Sequence, residues 1–235
     1  MTTFDGPALG RLDWSPDGQR IAVEARPRGH GDIYVVRARG GPPQPLVADP
    51  SDDVQPSWSR DRKWIYFGSD RGGKLEIWKV PAGGGAAVQV TRNGGFAAME
   101  SPDGKYLYYT KNRQVSGVWK APVEGGEESR VLDAVSEAVA FEVTSEGIWF
   151  LPPSNVFSRQ GVPLRFLSFA AGVPKTIVED GKAHLRGPGR FARWALGPVH
   201  TSRPDGIRPD AGGEFPVTDP ISLAPYDTSP STPRP

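Results

Sequence analysis

The stretch DWSPDGQRIAVEA (Asp13–Ala25) recurs as SWSRDRKWIYFGS (Ser57–Ser69), MESPDGKYLYYTK (Met99–Lys111) and, more loosely, EVTSEGIWFLPP (Glu142–Pro153). The turn tetrads begin at Ser15, Ser59, Ser101 and Thr144, spaced by 44, 42 and 43 residues. A period of about 40–45 residues is that of a four-stranded propeller blade. Within Ser15-Pro16-Asp17-Gly18, proline presets the backbone angle of a type I turn and glycine takes the left-handed position that closes a tight hairpin. The strand that follows alternates apolar and polar, as in Ile21 and Val23, Trp64 and Tyr66, Tyr106 and Tyr108, or Ile148 and Phe150, which marks a half-buried strand.

The rest of each unit repeats as well. A third strand comes from DIYVVRA (from Asp32), LEIWKVPA (from Leu75), SGVWKAPV (from Ser116) and LRFLSFA (from Leu164), with Tyr34, Trp78, Trp119 and Phe166 read as one equivalent ring. Glycine-rich turns follow, at Gly40-Gly41, Gly83 to Gly85, Gly125-Gly126 and Ala171-Gly172, and QPLV, VQVT, RVLD and KTIV close the units. No sustained helical period appears, so almost no helix is expected. The predicted fold is all-β, a partial β-propeller of about four four-stranded blades at 9–48, 49–92, 93–133 and 134–180. One blade cannot hide both faces of its sheet and must stack on its neighbours. Trp58, Trp64, Trp78, Trp119 and Trp149, at repeat positions, are therefore expected to be blade packing.

Composition agrees. With Lys plus Arg at 28 and Asp plus Glu at 27, the balance offers no electrostatic reason to expect nucleic acid or an acidic membrane surface. Cysteine is absent, which removes disulfides and thiolate chemistry from this chain. No apolar run reaches the length of a membrane span, and MTTFDGPALG has neither the basic nor the apolar region of a signal peptide, so no compartment is assigned. Glycine at 29 and proline at 25 suit short strands joined by turns.

On these residues the chain resembles the TolB-like, WD40-like bacterial propeller repeat, over about Leu9 to Asp180. The resemblance implies a ring of six or a similar number of blades and a shared activity of binding and scaffolding. Such repeats occur in TolB in the periplasm, as sensory domains behind winged-helix regulators or serine/threonine kinases, and as the gating propeller of prolyl-oligopeptidase-like peptidases. Arg60 and Arg62 in the second tetrad, and TSEG in the fourth, depart from the pattern and are expected to weaken those turns.

Catalysis has little to stand on. His30, His184 and His200 are isolated, with no second ligand at metal spacing. There is no G-x-S-x-G elbow, P-loop or dinucleotide fingerprint. No catalytic, cofactor-binding or metal residue is assigned. The acidic pairs Asp52-Asp53 and Glu127-Glu128 read as solvated loops, with a cation at the ring opening as the alternative. Arg26, Arg28, His30 and Asp32 read as an exposed hairpin loop, with a partner surface as the alternative. A protein partner or small ligand is expected at one mouth of the propeller, and the exposed faces of a partial ring are expected to self-associate.

Residues 1–186 read as propeller repeats and 187–235 as a tail. The next tetrad is due near residue 187, where the alternation stops and Gly, Pro, Arg and Ser crowd in. Phe191-Ala192-Arg193-Trp194 can be encoded TTC GCC CGA TGG; read from the second base into the G of Ala195, this becomes TCG CCC GAT GGG, Ser-Pro-Asp-Gly. Continued at that offset, the permitted codons read RWVLYTQVDRTGSDLMLVENFR, through about Phe215. The tail is thus read as out of frame, with the slip near Lys182 to Gly187; the alternative is a natural Pro/Gly-rich disordered extension. The leading functional expectation is a non-catalytic interaction module, sensor or scaffold, from a larger bacterial signalling, transcriptional-regulator or envelope protein. A peptidase's gating propeller and a decayed fragment without independent function stand as alternatives.

Overall fold

The computed structural model describes residues 9–136, 139–153 and 163–178. All of them fall in the first of two units, Met1–Pro198; the second, Val199–Pro235, lies outside the described residues, as do His184, His200 and the expected tail over 187–235. Sixteen strands form four antiparallel sheets of four, and no helix occurs among the described residues. Blade A holds β1 (Leu9–Trp14), β2 (Arg20–Ala25), β3 (Asp32–Arg37) and β4 (Gln44–Val47). Blade B holds β5 (Val54–Trp58), β6 (Trp64–Ser69), β7 (Glu76–Pro81) and β8 (Val88–Gln89). Blade C holds β9 (Ala97–Glu100), β10 (Tyr106–Thr110), β11 (Ser116–Pro122) and β12 (Ser129–Val135), and blade D holds β13 (Phe141–Val143), β14 (Gly147–Phe150), β15 (Leu164–Ser168) and β16 (Pro174–Val178). The resemblance implied six blades or a similar number; the described residues build four, one for each legible repeat.

The turn chemistry is local and repeated. In blade A the Ser15 hydroxyl donates to Asp17 Oδ1 (2.6 Å) and accepts the Arg20 N–H (2.9 Å), while the Gly18 N–H returns to the Ser15 carbonyl (2.8 Å). Ser59 with Asp61, and Ser101 with Asp103, repeat this cage. Gly18 and Gly104 sit at φ +68° and +71°, as the tetrad requires; Arg62 is held at φ +66° in the same place, where a Cβ is strained.

Blade D departs. Its hairpin is two residues shorter, closed by the Thr144 N–H to the Gly147 carbonyl (2.9 Å). Gly147 therefore belongs to β14 and has no left-handed role; a Cβ there would come within 2.1 Å of the Leu167 carbonyl oxygen. The expected ring equivalence also fails in this blade. Leu167 faces blade C with Ile148 and Phe150, so Phe166 lies on the opposite face, against Trp149. Arg165, paired with Phe150, takes the place that Trp78 and Trp119 hold opposite Phe67 and Tyr109.

Apolar layers between blades form the core. Blades A and B share Ala22, Ile33, Val35, Trp58, Ile65 and Phe67; B and C share Tyr66, Ile77, Leu107 and Tyr109; C and D share Tyr108, Val118, Ile148 and Phe150. Strands β1, β5, β9 and β13 neighbour one another in turn. Trp58 is buried, and Trp78 and Trp119 pack on the core layers from its edge; Trp64, under the Lys79 ammonium, and Trp149 are half-buried.

Candidate interaction surface

An antiparallel meander sorts its loops. The tetrads and glycine-rich turns lie at one end of each blade, and the β2–β3, β6–β7 and β10–β11 loops lie at the other with the blade-to-blade connections. That second end gathers the charged residues. Asp52, in the β4–β5 connection, accepts from the Gly31 N–H (2.8 Å) and from Arg26 (2.9 Å) of blade A, and also from Arg113 of blade C. Its own N–H donates to Asp70 of blade B (2.9 Å). Blades A and C thus meet on the Asp52 carboxylate, and blade B on its backbone N–H. Burial acts to raise the Asp52 carboxyl, but the Gly31 N–H and the two guanidiniums outweigh it and hold it below its ordinary value.

Beneath this rim lie buried acids. Glu24, 4% exposed, accepts from Arg26 (2.9 Å) and from the Gln55 N–H (3.1 Å). The second contact depends on a bulge in β5 between Val54 and Ser57, where Gln55 adopts φ +56°. Asp53 is fully buried; its N–H donates to the Gly31 carbonyl (2.9 Å), and its carboxylate accepts from Arg71 Nη2 at 2.9 and 3.0 Å. Burial pushes the Asp53 carboxyl up, against Ser69 and Arg71, which pull it down. Arg71 also reaches Asp49 (2.9 Å) and lies over the rings of Phe67 and Trp78. Arg28 pairs with buried Asp32 (3.1 Å), and His30 Nδ1 lies 3.4 Å from the same carboxylate without hydrogen-bond geometry.

The expected solvated loops are thus corrected. Asp52-Asp53 and the Arg26, Arg28, His30 and Asp32 set form one packed network, because the β2–β3 loop and the β4–β5 connection cross at Gly31. Glu127-Glu128 is elsewhere. Glu128 accepts from Tyr109 and Lys111 within blade C, and the pair borders a cleft of about 640 Å³ shared with Gln89, Thr91, Asn93 and Tyr109. Glu24, Gln55, Asp70, Arg71 and Arg113 escaped the sequence reading. One signal was available: Arg71 and Arg113 are 42 residues apart, the same spacing as their tetrads. No group of three or more His, Cys, Asp or Glu among the described residues is arranged to hold a metal ion. Two guanidiniums remain outward on this rim, Arg28 and Arg113, each about half exposed beside exposed Asp70, with carboxylates and the Phe96 ring fixing their orientation. Such a rim offers preoriented donors to carboxylates and carbonyls.

Fold and rim together define a propeller domain of the interaction-module class. The chain belongs to the TolB β-propeller domain family, whose model matches residues 4–141. It is 30% identical over 108 residues to the Tol-Pal system protein TolB of an Anaeromyxobacter species, covering 45% of this chain and 25% of that one. It is 31% identical over 98 residues to an uncharacterized protein of Agrobacterium fabrum, covering 41% and 33%. The chain therefore spans a third or less of the curated relatives it matches. Among solved structures, a protein described as a TolB from Agrobacterium tumefaciens aligns with TM-score 0.59 at 23% identity, over 70% of this chain and 63% of that one. A puromycin-hydrolyzing peptidase of Mycobacterium tuberculosis aligns with TM-score 0.57 at 12% identity, over 74% and 29%. At these identities both structures show the fold alone.

Proposed function

We propose that the chain is a non-catalytic protein-interaction module, with its propeller repeats within 1–186, derived from a larger bacterial signalling, transcriptional-regulator or envelope protein. Its contact surface is the rim around Asp52, and the segment it takes is extended and acidic. The convergence of three blades on Asp52 carries this reading, because a carboxylate spent on orienting arginines leaves their outer donors available for a partner. Membership in the TolB propeller family supports the coarser part. The peptidase-gate reading rests on fold likeness, and no feature of the rim favours it.

The test is an NMR titration of the full chain with an acidic peptide and its lysine-substituted counterpart. Shifts confined to 26–31, 49–53 and 111–115, present with the acidic peptide and lost in the Arg28→Glu, Arg113→Glu variant, are expected. Shifts at the tetrad end, or equal response to both peptides, would refute the assignment. Self-association belongs to the same proposal: Leu9, Leu12 and Trp14 leave an exposed apolar face on β1. Sedimentation is expected to show concentration-dependent assembly that Leu12→Asp reduces.

A further inference from the structure

Each blade covers its predecessor. Tyr66 of blade B and Tyr108 of blade C face onward along the array and are 2% and 3% exposed, sealed by blades C and D. Trp149 holds the same place in blade D, with Phe166 beside it, ring centroids 4.6 Å apart, and both stay half-buried. On this onward face Phe166, paired with Trp149, stands where blade C has Lys120, paired with Tyr108 and lying over Tyr106 at 3.7 Å. A pair of large rings on an otherwise well-packed sheet face is a seat for another apolar layer.

We propose that this face is the seat of a fifth blade, encoded by the same gene one base out of frame across the codons for residues 191 to 216. Read at that offset, the permitted codons give SPDGRWVLYTQVDRTGSDLMLVENFR. The first base of each shifted codon and usually the third come from residues present in this chain, and the middle, wobble base is open. The product then matches what the structure shows a blade requires. Ser-Pro-Asp-Gly supplies the hydroxyl–carboxylate cage and the left-handed glycine seen at Ser15 to Gly18 and Ser101 to Gly104. Its Tyr-Thr falls where β10 has Tyr109-Thr110, with an aromatic residue at the Tyr106 place. Asp-Arg-Thr-Gly falls in the loop between the second and third strands, one residue beyond the place of Asp70-Arg71-Gly72-Gly73 in blade B. Asp-Leu-Met-Leu-Val falls where β3 has Asp32-Ile33-Tyr34-Val35-Val36, with buried Asp32 at its head. Cage, second strand and third strand follow at the spacing of the blades present, Asp32 and the shifted-frame Asp both lying 17 residues after their tetrad Ser.

The experiment has two arms. Genomic DNA across the codons for Lys182 to Pro216 is sequenced; the shifted frame is expected to read the blade given above, and other wobble bases would overturn the proposal. The full chain and its one-base-corrected counterpart are then compared by hydroxyl-radical footprinting and hydrogen exchange. Oxidation of Trp149 and exchange in 147–150 and 164–168 are expected to fall severalfold in the corrected chain only. Unchanged Trp149 reactivity there would overturn the assignment.

Discussion

At the scale of single residues, the tetrads show how side chains set a backbone. A Ser hydroxyl and an Asp carboxylate hold the turn, so glycine is needed only for its φ, and Arg62 survives in its place at a strained +66°. Arg62→Gly is expected to stabilise the chain by about 0.5 to 1 kcal/mol, since its bridge to Asp17 (3.1 Å) is exposed and contributes little. Thermal denaturation checks this, with Arg62→Ala, which keeps the strain, showing no gain. The Asp17 carboxyl is held down at about 2, first by the Ser15 hydroxyl and next by the Gln19 N–H. A depressed folded value means its stabilisation is complete above the ordinary 3.8 and is lost as pH falls towards about 2. Urea denaturation across that window is expected to show a shallower acid slope for Asp17→Asn.

At the scale of elements, blade D departs most from the repeat. Its alternation was legible, but the pairing of β15 was not: Arg165 pairs with Phe150 where Trp78 pairs with Phe67, a one-residue offset from the expected ring, so Phe166 yields the face towards blade C to Leu167 and Arg165. Glycine at 147 is required by the approach of the Leu167 carbonyl. Gly147→Ala is therefore expected to destabilise the chain by about 2 kcal/mol or more, since the obstructing atom is backbone and cannot swing aside. Chemical denaturation measures the loss, and exchange in β14 and β15 locates it.

At the scale of the whole array, apolar layers stack the blades and ion pairs lock their mouth. Asp52→Ala leaves the Gly31 N–H and two guanidiniums without their shared acceptor, and a loss of about 2 kcal/mol is expected in urea denaturation. Asp52→Asn, which can keep the Gly31 contact, is expected to lose less. Among the tetrad-end contacts, buried Glu100 accepts from the Tyr66 hydroxyl (3.0 Å) and the Arg60 N–H, tying blade C to blade B there. Burial pushes the Glu100 carboxyl above its ordinary range, so its ionisation costs stability as pH rises and offsets part of the gain from Asp17.

The sequence by itself determined the repeat, the strand-and-turn order and the all-β class, because hairpin geometry and period-two burial are local requirements that each repeat states again. Only the tertiary structure decided the rim. Arg26, Asp52, Asp70 and Arg113 lie in separate loops with no common motif, and their meeting depends on where stacked blades bring those loops. The register of β15 in blade D was decided the same way, since a one-residue offset against β14 leaves strand alternation intact while exchanging the faces of its side chains.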